Sequence, residues 1–352
     1  MSAAAGNVPR ILIPDAYADS LDLESAVLGD RAAFEVLHAQ DAADVPDRSW
    51  READAVLLWH RIRITPDVVA RLERCRLIVR VGVGFDNVDL EACAAHGIPV
   101  SNVPNYGTTE IADHALALLL SLVRGIPSYD RRLRAALAEG YFAEDVPVVR
   151  RLKGSTFGAV GLGRIGTAVA RRAAAFDMKV VFHDPFLPEG HELGIGFERA
   201  RSLADLLERS DVVSLHTPLN EHTRAMVNAD WLATMKAGAI LINVARGKLL
   251  DLDAIETALR GGRLAAAAFD VLPQEPPDPS HPLLRAWLDQ EPWLQGRLVL
   301  TPHAAFYSDA AYVDMRTFAA EIAADFLFNG KLRNNLNPGW YASRGKRHPS
   351  IA

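Results

Sequence analysis

The sequence predicts an α/β protein made of two doubly wound parallel-sheet domains, and three observations carry that prediction. Short uninterrupted apolar runs alternate with helical patterns in two blocks, which suits strands buried under helices on both faces. A glycine-rich turn, Val160-Gly161-Leu162-Gly163-Arg164-Ile165-Gly166, joins a strand signal to a helix signal, and Asp184 follows eighteen residues after Gly166. The 352 residues of the chain exceed what one core ordinarily serves, so two domains are expected.

In the first block, residues 10–13, 55–59 and 77–81 read as strands, and 98–100 as a weaker one. In the second, the strand signals are 156–160, 180–182, 212–215, 240–244, 265–269 and 298–300. Six strands separated by helical patterns match the doubly wound dinucleotide fold. Between the blocks, residues 108–124 give the clearest helix, with Glu110 and Asp113 early, Arg124 in the last turn and Gly125 as the C-cap. The stretch 126–150 lacks a clear period and reads as an exposed arm or an oligomer contact, with the apolar pair Tyr141-Phe142. Residues 315–328 look helical, and 334–352 mix Pro, Gly, Ser and basic residues and are expected to be loosely ordered.

The glycine turn carries the first chemical reading. Gly161 permits the tight turn, Gly163 lets the backbone approach a pyrophosphate, and Gly166 lets the helix lie close against the strand. The helix start around Arg164 and Ile165 offers N–H groups and a partial positive charge to phosphates. A carboxylate at Asp184 suits the ribose hydroxyls and repels a 2′-phosphate, so NAD is expected rather than NADP.

Composition narrows the remaining classes. The chain is 49% hydrophobic and 23% charged, ordinary for a globular protein. A net charge of −6 argues against nucleic acid as a primary partner. Two cysteines, Cys75 and Cys93, are too few for a disulfide framework and fit a reducing compartment. Residues 1–8 do not resemble a secretory signal, and the apolar run 115–123 is well short of the ~20 residues of a membrane span. A cytoplasmic protein without membrane contact is expected, and no metal site is assigned.

Hydride chemistry on a 2-oxo acid needs a cation for the carboxylate and carbonyl, and a proton donor for the developing alkoxide. Arg246, Glu275 and His303 stand at or after the ends of successive late strands, where open α/β sheets place their ligands. An imidazole suits a proton relay near neutral pH, and a neighbouring carboxylate fixes its tautomer. Taken singly, each residue also has an ordinary reading as a surface charge, a loop residue or a structural histidine.

The sequence resembles the D-isomer-specific 2-hydroxyacid dehydrogenase family over roughly residues 76–335. The matching stretches are RVGVGFDNVDL from Arg80, SNVPNYGTTEIADHALALLL from Ser101, GLGRIG from Gly161, SDVVSLHTPLNEHTRAMVN from Ser210, INVARGKLLD from Ile242, AAFDVLPQEPP from Ala267 and LTPHAAFYS from Leu300. The resemblance implies Arg246 as the substrate-orienting cation, His303 as acid/base and Glu275 as its carboxylate partner. It implies a substrate carboxylate received at Val83 and Gly84 with Arg80 nearby, and the nicotinamide flanked by Val244, Ala245, Asp270 and His303. Thr217, Pro218 and Thr223 would line the adenine and ribose side. It also implies a flavodoxin-like substrate domain of residues 1–104 and 305–352, and a Rossmann coenzyme domain of residues 105–304. A homodimer contact is expected near residues 105–150.

Within the family the likeness is closest to the C-terminal binding protein-like branch, through HDPF from His183, LNEHT from Leu219 and HAAFYS from His303. That branch's usual Trp after His-Ala-Ala is Phe306 here, which changes the pocket wall, and the stretch 276–297 lengthens the loop between Glu275 and His303. The expected function is an NAD-dependent dehydrogenase interconverting a small 2-oxo acid and a D-2-hydroxy acid. The alternatives are an NAD-sensing corepressor-like scaffold and a phosphite-type dehydrogenase.

Overall fold

The computed structural model describes residues 8–141 and 146–344. The chain divides into two compact units: the first runs to Gly107 and resumes at Ser308, and the second is Thr108–Tyr307.

The first unit is built on β1 (Arg10–Ile13), β2 (Ala33–Val36), β3 (Ala55–Leu58), β4 (Leu77–Arg80) and β5 (Val100–Asn102). All pair in parallel in the order β2-β1-β3-β4-β5, which is the flavodoxin-like order. The inner strands β3 and β4 are buried throughout, which is why they stand out as plain apolar runs. β2 was not expected. It is an edge strand, half-exposed, and it carries Glu35, which pairs with Arg10 at 3.1 Å and accepts from the Ser49 hydroxyl at 2.6 Å. β5 starts later than the sequence suggested, because its polar residues are the buried ones. The Ser101 hydroxyl donates to the Arg333 carbonyl (2.7 Å), and the Asn102 side-chain amide donates to the Val83 carbonyl (2.7 Å).

Helix Asp309–Asn329, longer than expected, packs on β3, β4 and helix Asp22–Leu28. Ser308 caps its start by accepting from the Ala311 N–H at 2.9 Å, a contact typically worth ~1 kcal/mol. Arg316 forms a bidentate pair with Glu24 (2.8 and 2.6 Å), both side chains under a tenth exposed. Breaking such a pair on one side costs ~3–5 kcal/mol because the other charge is left buried.

The expectation of a loosely ordered end is corrected for residues 334–344. Asn337 is 6% exposed; its side chain accepts from the Val100 N–H (2.8 Å) and donates to the Ile98 carbonyl (2.9 Å). Trp340 is buried in the turn Pro338–Trp340, and helix Tyr341–Arg344 follows. A buried amide and a buried indole hold this segment where composition suggested a solvated tail. Residues 345–352 of that expected tail lie outside the described residues. Cys75 and Cys93 are free and buried in this unit's core, and burial pushes both thiols up to about 12. Little thiolate then exists near neutral pH, and both act as small apolar residues.

The second unit is built on β6 (Thr156–Val160), β7 (Lys179–His183), β8 (Glu198–Arg199), β9 (Val212–Leu215), β10 (Ala239–Asn243), β11 (Leu264–Phe269) and β12 (Leu298–Leu300). They form one parallel sheet in the order β12-β11-β10-β9-β6-β7-β8. Seven strands replace the expected six: β8 is only two charged residues long, beyond the reach of any hydrophobic pattern. β6 and β9 are neighbours in the sheet although two strands separate them in the chain, so the chain reverses direction across the sheet there. That is the switch point at which such sheets bind ligands.

Helices Thr108–Val123 and Arg164–Ala175 pack together on one face. The first ends one residue earlier than expected, with Gly125 left-handed at φ 64°. The small face Gly166, Val169, Ala170 and Ala173 of the second lets it approach closely. On the opposite face Leu206, Trp231, Ile255 and Leu283 share a core with β9, β10 and β11. Part of the presumed arm is a regular helix, Ile126–Ala135, with none of its residues buried. Its polar surface leaves no apolar period to read. Phe142 of the expected apolar pair lies outside the described residues.

Among the described residues no single helix is long and apolar enough to cross a membrane. The bent pair Thr108–Val123 and Ile126–Ala135 passes on length and composition alone, and the first of the two is a core helix with eight buried residues.

Candidate functional site

A parallel sheet brings every strand's C-terminal end to one edge, and in the second unit that edge collects most of the singled-out residues. Gly161 follows β6, Asp184 follows β7, Thr217 follows β9 closely, Val244 to Arg246 follow β10, Asp270 follows β11 and His303 lies just beyond β12.

The glycine turn fits a dinucleotide by the space it leaves. Gly161 is left-handed at φ 88°, and a Cβ there would stand 2.9 Å from the His216 carbonyl. A Cβ on Gly166 would overlap the Gly161 carbonyl. A Cβ on Gly163 would meet nothing within 4 Å. Two glycines are thus required by packing, and the third borders an open cradle. Gly163 is the N-cap of helix Arg164–Ala175 and supplies no side-chain cap. The first N–H groups of that helix therefore remain for an anion, beside the exposed side chain of Arg164 and the half-buried Ile165.

Asp184 ties β7 to this turn. One carboxylate oxygen accepts from the Leu162 N–H (2.9 Å) and the other from the Phe186 N–H (3.0 Å). Each oxygen keeps a second acceptor direction for a sugar hydroxyl. The cation nearest in sequence logic, Arg199, is committed elsewhere: it donates to the Asp184 and Pro188 carbonyls (3.1 and 2.8 Å) and pairs with Glu192 at 2.8 Å. The Thr217–Thr223 turn is self-closed. Thr223 donates its hydroxyl to the Pro218 carbonyl (2.7 Å) and accepts from the Asn220 N–H (2.8 Å).

His216 was not singled out by the sequence. Both ring nitrogens are buried without a hydrogen-bond partner among the described residues, and desolvation pulls its pKa down to about 3. A base whose folded pKa lies below its unfolded value of 6.5 contributes stability that is fully present above that value. The contribution drains away as pH falls toward about 3. Lowering the pH from 6.5 to 4.5 should therefore cost the native protein ~2 kcal/mol more than it costs a His216→Asn variant, at ~1.4 kcal/mol per pH unit. In thermal melts that is a Tm drop larger by roughly 4–8 °C. Equal slopes in the two proteins would show that His216 titrates normally.

The loop that carries His303 is assembled around Asp270, which is 2% exposed. Its carboxylate accepts from the Thr301 hydroxyl (2.6 Å) and from the Ala304 and Ala305 N–H groups (2.9 Å each). Its carbonyl accepts from the His303 N–H at 2.7 Å. These bonds hold His303 at φ 53°, a left-handed conformation that costs a non-glycine residue ~1–3 kcal/mol. The resemblance assigns Asp270 to the nicotinamide carboxamide; within this chain its carboxylate shapes the loop that carries His303. The His114 ring, also not singled out, meets the Thr301 hydroxyl at 2.9 Å and lies 3.6 Å from Asp270. A lone histidine inside an apolar helix was the available signal.

His303 Nδ1 lies 2.7 Å from Glu275 Oε2, and Glu275 Oε1 accepts from the Leu272 N–H at 3.0 Å. An ionised carboxylate only accepts, so Nδ1 carries the proton of this bond. Phe306 packs edge-on against the His303 ring at 6.4 Å. The Arg246 loop is fixed by buried Asn243, whose amide donates to the Arg246 carbonyl (2.8 Å) and accepts from the Ala245 N–H (2.9 Å). A Cβ on Gly247 would overlap the Leu272 carbonyl, so the loops bearing Arg246 and Glu275 touch through a glycine.

Arg80, Val83 and Gly84 belong to the first unit, at the end of β4. Arg80 is 9% exposed and folds back to donate to the Val81 carbonyl. Gly82 is at φ 138°, and a Cβ there would overlap the Arg80 guanidinium. Among the described residues the Val83 and Gly84 N–H groups have no acceptor, as a carboxylate-receiving turn requires.

A family model described as "D-isomer specific 2-hydroxyacid dehydrogenase, NAD binding domain" matches residues 116–305. C-terminal-binding protein 1 of Caenorhabditis elegans is 30% identical over 327 residues, covering 91% of this chain and 43% of the relative. D-3-phosphoglycerate dehydrogenase of Methanocaldococcus jannaschii is 35% identical over 286 residues, covering 81% of this chain and 52% of the relative. The chain thus spans about half the length of the curated relatives it matches. Among solved structures, the NADPH-dependent glyoxylate/hydroxypyruvate reductase of Sinorhizobium meliloti, in complex with NADP and malonate, superposes with a TM-score of 0.81. Its identity is 30%, with 94% of this chain and 97% of that one covered. Matched over more than half its length by that family model, the chain belongs to the D-isomer specific 2-hydroxyacid dehydrogenase family.

Proposed function

We propose that the protein is an NAD-dependent oxidoreductase that interconverts a small 2-oxo acid and a D-2-hydroxy acid. The observation that carries this reading is the 2.7 Å His303–Glu275 pair, standing with Arg246 on the sheet edge that also bears the glycine turn. When bound, the dinucleotide supplies the hydride to C2 in reduction and receives it in oxidation. Arg246 orients the substrate carboxylate and polarises the carbonyl. His303, its Nδ1 committed to Glu275, exchanges a proton with the substrate oxygen through Nε2. Reduction then consumes one hydride and one proton, and Glu275 stabilises the imidazolium that gives the proton up. The Val83 and Gly84 N–H groups, with Arg80 close in sequence, receive the carboxylate. Val244, Ala245 and Asp270 would hold the nicotinamide side of the dinucleotide, Thr217, Pro218 and Thr223 its adenine side, and Phe306 would shape the pocket wall. The test is a screen of 2-oxo acids with NADH, followed by loss of nicotinamide absorbance. Turnover on none of them would remove the reading.

The cofactor preference follows from Asp184 and the committed Arg199. NADH should bind at least about 10-fold more tightly than NADPH, since a 2′-phosphate would meet the Asp184 carboxylate while Arg199 is held by other partners. Asp184→Ala should narrow the gap in fluorescence titrations. Equal affinity in the unmodified protein would refute the assignment.

A homodimer is supported by the helix Ile126–Ala135 and the residues after it, where Ile126, Leu137 and Tyr141 are each more than half exposed. Light scattering at micromolar concentration should give twice the chain mass. The two buried free thiols suit a reducing cytoplasm. The likeness to a C-terminal-binding protein favours a second reading, an NAD-responsive scaffold, which gains if NADH binds but no 2-oxo acid turns over.

A further inference from the structure

The first unit's sheet edge carries a built cluster that the proton relay does not use. Asp15, just past β1, is fully buried, and its carboxylate accepts from the Trp59, Arg61 and Ile62 N–H groups at 2.9, 3.0 and 3.2 Å. Three backbone bonds to one buried carboxylate fix the loop after β3 rigidly. Asn87, three residues beyond Gly84, clamps the same loop by donating to the Trp59 and Ile62 carbonyls at 3.0 and 2.9 Å. The loop after β3 and the loop holding Val83 and Gly84 are therefore one hydrogen-bonded assembly.

On this platform the Trp59 ring lies between Tyr17 and Tyr312, at centroid distances of 5.0 and 5.8 Å. His60 stacks on Tyr17 and shares a 2.8 Å hydrogen bond with its hydroxyl. The Arg61 guanidinium lies over the Tyr17 ring at 4.0 Å. Stacking uses the face of a guanidinium and leaves its rim of N–H donors in plane, the arrangement that binds a carboxylate bidentately. Among the described residues Arg61 has no carboxylate within ion-pair distance, whereas Arg10, Arg51, Arg74, Arg199 and Arg316 each have at least one. The carboxylate beneath the loop, Asp15, is occupied by the backbone. A half-buried cation stacked on Tyr17, beside a ring cluster and without an ion-pair carboxylate, is suited to receive an anion.

Building on the reading above, in which Val83 and Gly84 receive the carboxylate next to the reacting carbonyl, we infer that Arg61 receives a second carboxylate at the far end of the substrate. The preferred substrates are then dicarboxylic 2-oxo acids. Tyr17, on which Arg61 stacks, holds the guanidinium plane for the distal carboxylate.

The test compares 2-oxopentanedioate with 2-oxopentanoate, acids of equal chain length that differ in the distal charge. The unmodified protein should show a kcat/KM at least about 10-fold higher for the diacid, and Arg61→Met should lower the diacid-to-monoacid ratio by about 10- to 100-fold, the scale of a lost hydrogen bond to a charged group. Arg61→Lys, which keeps the charge but not the planar fork, should fall between them. That intermediate value separates lost recognition from a damaged fold. A preference for the monoacid, or a ratio untouched by Arg61→Met, overturns the inference while leaving the dehydrogenase reading intact. Turnover of neither acid overturns both.

Discussion

Replacing His303 with alanine is expected to lower kcat on the best 2-oxo acid by about 10²–10⁴-fold, the usual cost of a lost general acid, while NADH affinity changes little. The separation follows from position. His303 is held by Glu275 through its ring and by Asp270 through its backbone, and neither tie involves the glycine turn proposed for the pyrophosphate. Truncation should therefore remove the proton donor without disturbing the dinucleotide cradle. Single-turnover rates and fluorescence titration with NADH would separate the two effects. Arg246→Ala should behave differently, raising KM as well as lowering kcat, because it touches the substrate before and during reaction. Near-normal turnover by the His303→Ala protein would remove the relay, and the scaffold reading would gain ground.

Gly247→Ala should be nearly as damaging, although the residue carries no chemistry. A methyl group there would overlap the Leu272 carbonyl, and backbone, unlike a flexible side chain, cannot swing aside. On one side of that contact stands Arg246; on the other, the Leu272 N–H donates to Glu275 Oε1 at 3.0 Å. One added carbon must push the loops bearing Arg246 and Glu275, the cation and carboxylate of the proposed relay, apart. Displacement near 1 Å at a reacting centre costs roughly 10²-fold in rate, and overpacking of this kind costs ~1–3 kcal/mol of stability. Kinetics and thermal melts on the same preparation would measure both. Unchanged kcat/KM would show that the two loops move independently.

The sequence carried the strands that are buried on both sides, because a parallel sheet under helices writes itself as uninterrupted apolar runs. It hid β2 and β8, where Glu35, Glu198 and Arg199 occupy edge strands that need no apolar pattern. Helix Ile126–Ala135 was hidden for a related reason: it buries nothing, so it has no face to declare. The ordered segment 334–344 failed differently, since Asn337 acts through its amide and not through hydrophobicity. In the site, the glycines were legible because their spacing reports backbone geometry, whereas strand ends offered Arg246, Glu275 and His303 only as candidates and the family resemblance implied their roles. His216, His114 and Asp15 were not, since each is defined by what surrounds it in space. The Gly247 contact was equally hidden, as its partner is twenty-five residues away in the chain.

The first unit's sheet is complete by Asn102, yet helix Asp309–Asn329, which covers β3 and β4, is not reached until the second unit has been made. At ribosomal speeds of ~5–20 residues per second, the intervening stretch of some 200 residues takes roughly 10–40 s to synthesise. Throughout that interval the nascent chain exposes a finished apolar surface whose lid is still untranslated, while the uninterrupted second unit is free to fold as it emerges. The newborn protein should thus be most dependent on chaperones before Ser308 leaves the ribosome, and a premature stop shortly before that residue should yield insoluble product instead of a smaller soluble enzyme.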